Sequence, residues 1–141
     1  METGEVRKRV LHAITAARGR AQARRQQADE AAHAYEAFLE VATPVVHQVA
    51  SALKAEGHPF TVFTPGGGLR LASDHGRDDF VDFALDTSGD RPQVIGRISQ
   101  SRGSRRLEEE RPVKAGTAPD ALSEEDVLDF VILALERWLA R

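Results

Sequence analysis

Apolar residues change their spacing twice along this chain. From Glu5 to Gly57 they recur at helical intervals in a background rich in Ala, Arg, Gln and Glu. Between Pro59 and about Arg111 they alternate in short runs separated by turn clusters, and after Ser123 they crowd almost every position. The three stretches predict helix, antiparallel strands and a final buried helix.

In the first stretch, Val10, Ile14, Ala17, Ala21, Arg24, Ala28, Ala31, Tyr35, Phe38 and Ala42 follow one another in alternating steps of four and three, the spacing of a coiled-coil seam. Its middle is alanine, which buries little area but lets a second helix approach closely. Two residues interrupt the helix. Gly19 costs ~1 kcal/mol relative to Ala and predicts a bend at most. Thr43-Pro44 predicts a break, because a residue before proline avoids the helical region and proline suits a first turn. One helix is therefore expected to end near Ala42 and another to run from Pro44 to Glu56, stopped by Gly57.

The middle stretch contains FTVF, LRLAS, DFVDFALD, QVIGRISQ and SRRLEEE, punctuated by PGGG, DHGRD, SGDRP and SRGS. Connections this short join neighbouring antiparallel strands, so residues 59–112 are expected to form a five-stranded meander. Pairing about Gly76 opposes Leu71 to Val81 and Leu69 to Phe83. Pairing across SGDR opposes Val81 to Ile98 and Leu85 to Val94. A turn at Arg102-Gly103 then opposes Ile98 to Leu107. The same registers set Arg70 against Asp82, Asp82 against Arg97 and Arg97 against Glu108 on the other face. Phe80, Ala84 and Ile95 share that second face, which Phe60 or Val62 could join.

Ser123 followed by Glu124, Glu125 and Asp126 marks the start of the last helix, 123–140. Val127, Leu128, Phe130, Val131, Ile132, Leu133, Leu135, Trp138 and Leu139 occupy too much of its circumference for one contact. Burial on two sides is expected, between the sheet and the Pro44 to Glu56 helix with Val45, Val46, Val49 and Leu53, or between the sheet and a second copy. The fold class is α+β, and 141 residues with 41% hydrophobic content fit a single domain, 1–141, whose first 57 residues are helical.

Charge changes the picture more than composition does. Arg7, Lys8, Arg9, Arg18, Arg20, Arg24 and Arg25 face only Glu2 and Glu5 in residues 1–27, a net +5, so the remainder carries −8 within the overall −3. Such asymmetry points to an acidic partner or to self-association of oppositely charged parts. The seven cations could also neutralise nucleic-acid phosphates, although no aromatic residue is interleaved for stacking and no helix-turn-helix spacing is present. No apolar run approaches membrane-spanning length, no signal-peptide core follows the first charges, and there is no cysteine. A soluble, cytoplasmic protein without membrane, thiolate or disulfide chemistry is expected.

Catalytic signals are sparse. Pro65-Gly66-Gly67-Gly68 joins two strands and lacks the following helix and Lys-Ser/Thr of a phosphate loop, so it reads as a hairpin in which Gly66 or Gly67 takes positive φ. Asp74, His75, Asp78 and Asp79, with Asp82 close behind, form the densest acidic cluster, but their spacing matches no calcium loop. His12, His33, His47 and His58 are scattered without metal-ligand pairing. Ser88, Ser99, Ser101 and Ser104 lie in or near hairpins without a nucleophile elbow, and Glu108-Glu109-Glu110 and Glu124-Glu125-Asp126 read as a strand end and a helix start. No cofactor or metal is expected. The reading that follows is a non-enzymatic, self-associating interaction module, most simply a dimer, using Val10 to Phe38 of the seam, the second sheet face, or both. A nucleic-acid-binding adaptor comes second, and an enzyme with a spatially assembled site third.

Overall fold

A computed structural model of the chain describes residues 1–76 and 78–140. Contacts divide the chain into two compact units, Met1–His33 and Ala34–Arg141. Helix α1 spans Thr3–Ala55, strands β1 to β5 span Phe60–Phe63, Leu69–Ser73, Phe80–Asp86, Gln93–Arg102 and Arg105–Pro112, and helix α2 spans Glu124–Leu139. The first unit is helical from Thr3 onward and continues through Gly19, where an added Cβ would meet nothing.

The break expected at Thr43-Pro44 does not occur: Pro44 lies inside α1, exposed, and the two helices expected on either side of it are one. An interior proline removes a hydrogen bond and clashes with the preceding turn, at a cost of ~3 kcal/mol. Tertiary packing offsets it. Phe38 and Ala42 before the proline and Val45, Val46, Val49 and Leu53 after it are all buried in one core cluster, so a single apolar stripe runs past the proline. The helix does stop where glycine predicts. Gly57 has φ +85°, its amide donates to Lys54 O at 3.1 Å, and the His58 amide donates to Leu53 O at 2.8 Å. These are the two bonds of a Schellman cap, with glycine at its left-handed position.

The five strands pair in sequence order, all antiparallel. Leu69 opposes Phe83, Leu71 opposes Val81, Val81 opposes Ile98 and Leu85 opposes Val94, as the alternation requires. The last hairpin differs from expectation. Ile98 opposes Glu109, Arg97 opposes Glu110, and Leu107 opposes Gln100, a slip of two residues. The turn is centred on Gly103-Ser104, and Gly103 takes φ +59°. A two-residue turn at Arg102-Gly103 would have put arginine at the first central position, where hairpin turns demand positive φ. Leu107 keeps Ile98's face but remains 43% exposed.

Leu69, Leu71, Val81, Phe83, Val94 and Ile98 are buried together with residues of α1 and α2, so both helices cover this sheet face. Phe60 and Val62 belong to it as well, not to the second face, because Val62 opposes Leu71; Phe60 stacks on Trp138 with ring centroids 5.3 Å apart. Helix α2 starts with the expected capping box: Ser123 Oγ accepts from the Asp126 amide at 3.1 Å, and Asp126 Oδ2 accepts from the Ser123 amide at 3.0 Å. Its inner side buries Val127, Phe130, Val131, Ala134, Leu135 and Trp138. Gly96 on β4 gives Phe130 its seat, since a Cβ there would lie 2.2 Å from the Phe130 ring. Trp138 Nε1 donates to Ser99 O at 2.8 Å.

Candidate functional site

Two exposed apolar surfaces stand out, one in each unit. In Met1–His33 no side chain from Met1 to Glu30 is buried, and Val6, Val10, Leu11 and Ile14 are 41 to 54% exposed. Val6, Val10 and Ile14 follow in steps of four and therefore share one side of the helix. Along the seam, Ala17, Arg24 and Ala28 are exposed, Ala21 is half-buried and Ala31 is buried.

Beyond Ala31 the seam serves the protein's own core. Phe38 is fully buried, stacks with Tyr35 at 5.8 Å and meets the Phe83 ring edge-on at 5.6 Å. The half-buried Tyr35 hydroxyl donates to Phe83 O at 3.2 Å; burial, and secondarily the charge of Asp82, push its pKa up. Phe38 is thus a core residue, and the half-buried Tyr35 packs against the same core. The sheet face offers large apolar residues to cover, and aromatic rings recover more area there than against an alanine seam.

The second surface is a groove of about 810 Å³ in the unit from Ala34. Val45, Val49, Ala52 and Leu53 of α1 form one wall, and Leu128, Ile132, Leu135 and Leu139 of α2 form the other. Leu128, Ile132 and Leu139 are 39, 41 and 50% exposed. The expected two-sided burial of α2 is therefore incomplete within the chain: its outer stripe opens into this groove. Gln48, Glu56, His58, Glu124 and Glu125 complete the lining. The excess of apolar positions around α2 was its sequence signal, but the opposite wall comes from a helix some 80 residues earlier.

The second sheet face carries the charge row. Arg70 Nη2 and Arg97 Nη2 each lie 2.8 Å from Asp82 Oδ2, and Arg97 Nη1 reaches Glu108 Oε1 diagonally at 3.8 Å. Hydrogen bonding to Asp82 raises the Arg97 pKa further above its usual value. Phe80 on this face is only 3% exposed, because the guanidinium carbons of Arg70, Arg97 and Arg106 stand 4.1, 5.2 and 5.7 Å from its ring centroid. Cation-π contacts from three strands of the same sheet help to cover it.

The acidic turn uses its carboxylates separately. Asp74 accepts from Thr61 Oγ1 at 2.6 Å, Asp79 is buried and accepts from the Ser101 amide at 2.9 Å, and Asp78 lies 3.9 Å from Arg106. The His75 amide donates to Ser73 Oγ at 3.2 Å. Among the described residues no three His, Asp or Glu side chains are placed to hold a metal ion. His12, His33, His47 and His58 are all exposed. Ser88 hydrogen-bonds Asp86 through its hydroxyl at 2.6 Å and its amide at 3.0 Å, which holds the Asp86 carboxyl below the usual carboxylate range. Glu109 pairs with Arg137 of α2. Gly66 and Gly67 both adopt positive φ, +54° and +81°, in a short 3-10 turn between β1 and β2. These groups close turns and join strands.

The seven cations of residues 1–27 are all exposed, with Arg9 Nε bonded to Glu5 at 3.0 Å. At 100° per residue they distribute around the whole helix instead of forming one stripe. No helix among the described residues is long and apolar enough to cross a membrane. Comparison with protein-family models, with curated proteins and with solved structures gave no match.

Proposed function

We propose that this protein is a non-enzymatic, cytoplasmic interaction module that self-associates through its N-terminal helix, most simply as a dimer. The observation that carries the reading is the exposed stripe Val6, Val10 and Ile14 on a helical segment that buries no side chain between Met1 and Glu30. Helices draw most of their stability from packing of an apolar face, so a segment this long without such packing is better satisfied by a second chain. The alanines at positions 17, 21 and 28 leave room for close approach.

Sedimentation equilibrium across micromolar concentrations tests this. A dimer mass is expected, and Val10→Glu should lower the association; a monomeric mass throughout would refute self-association. A second reading, binding of nucleic-acid phosphates, is supported by the exposure of Arg7, Lys8, Arg18, Arg20, Arg24 and Arg25. It requires affinity for a DNA or RNA duplex that falls steeply with salt.

A further inference from the structure

The stripe and the groove complement one another in shape, polarity and charge. Val6 to Ala17 and Leu128 to Leu139 are each twelve residues long, so each runs ~16 Å along its helix axis from first to last Cα. The groove is lined by aliphatic side chains, with Glu56, Glu124 and Glu125 among its lining residues. The segment that bears the stripe holds Arg7, Lys8 and Arg9 beside Val6 and Val10, within a net +5, while the rest of the chain carries −8. An amphipathic helix laid into an apolar groove through residues at i, i+4 and i+8 is a recurrent mode of recognition. Opposite charges at the margin would guide and orient the docking.

We propose that the groove between the second half of α1 and α2 receives the N-terminal helix of a second copy of this chain. This rests on the self-association reading and names the surface that the N-terminal helix meets. Contact between unlike surfaces closes when two copies exchange helices reciprocally, which satisfies both grooves and both stripes at once. Leu128, Ile132 and Leu139 then lose their solvent exposure, which supplies the second side of burial that α2 lacks within one chain.

The test uses full-length chains carrying Ile132→Glu in the groove or Val10→Glu on the helix, with sedimentation equilibrium as the readout. Each substitution should weaken dimerisation at least ~10-fold, equivalent to ~1.4 kcal/mol. Mixing the two variants should recover part of the association as a 1:1 complex, because the intact helix of one meets the intact groove of the other while the reciprocal contact carries both substitutions. Raising salt should weaken the wild-type dimer. If Ile132→Glu leaves the dimer intact while Val10→Glu abolishes it, the helices pair with each other, so self-association stands and groove docking falls. Loss of both homodimers without recovery on mixing also overturns the docking, and a monomeric wild type overturns both readings. Circular dichroism checks folding of each variant. Leu128→Glu, on the same outer stripe, replaces Ile132→Glu if that chain fails to fold.

Discussion

Replacing Gly96 with alanine tests how tightly α2 is seated on the sheet. A Cβ at this position would lie 2.2 Å from Phe130 Cε1, 2.3 Å from Cζ and 3.1 Å from Cδ1. Ordinary contact begins near 3.4 Å, so the ring edge must retreat by more than ~1 Å or α2 must lift; carbon pairs prefer about 3.5 to 4.0 Å. Phe130 is 4% exposed and its ring lies 5.9 Å from that of Phe83, which leaves little room for an easy escape. Overpacking of this kind costs ~1–3 kcal/mol and occasionally more, and the depth of the overlap places Gly96→Ala near the upper end, at ~3 kcal/mol. Urea unfolding followed by Trp138 fluorescence would measure it. The double variant Gly96→Ala with Phe130→Leu should recover part of the loss relative to the sum of the two single changes. A Gly96→Ala midpoint equal to that of the wild type would mean that α2 does not rest on β4 through this contact.

Pro44→Ala should raise stability by up to ~3 kcal/mol in thermal unfolding, since it restores an interior helical amide at an exposed position; a loss would show that the proline shapes the packing of the residues around it. Arg97→Ala should cost ~1 kcal/mol or less, because Asp82 keeps Arg70, whereas Ile98→Asp should prevent folding by burying an unpaired carboxylate; the reverse order in urea titrations would contradict the register of β3 and β4. The Ser123 amide holds the Asp126 carboxyl below its ordinary 3.8. Its contribution is therefore fully present above that unfolded value and is lost as pH falls through the lower folded one. The gap between wild type and Asp126→Asn in urea midpoints should accordingly stay level at pH 5 to 7 and close below about 4; a gap that widens with acid would reverse the sign.

What the sequence made legible was whatever a wrong choice would have turned inside out. In the β2–β3 and β3–β4 hairpins a one-residue slip would expose Leu71, Val81 and Ile98, and alternation together with turns placed at Gly76 and SGDR located these pairings. The β4–β5 pairing shows the limit of that argument. A slip of two residues preserves every face, so Ile98 can oppose either Leu107 or Glu109 without violating the pattern; only the demand for glycine at the first central position of the turn separates them. Pro44 was misleading for a different reason: its local cost is real, yet it is outweighed by buried neighbours at Ala42, Val45 and Val46 on the same stripe.

The exposed apolar surfaces were legible only in part because an amphipathic stripe does not specify what it packs against. Tyr35 and Phe38 continue the spacing of Val10 and Ile14 without interruption, and nothing local distinguishes the residues that meet the sheet from those left exposed. The distinction follows from area. The sheet presents Leu69, Leu71, Val81 and Phe83, and large side chains such as Phe38 and Val46 gain more by covering them than alanine could. The alanine-rich turns are left with the shallow surface, where close approach by another helix is their principal means of burying area. On α2 the same division separates Phe130 and Trp138, which face the sheet, from Leu128 and Ile132, which face the groove. Its uniformly apolar sequence therefore carries two messages, one for the chain's own core and one for the helix proposed to dock there.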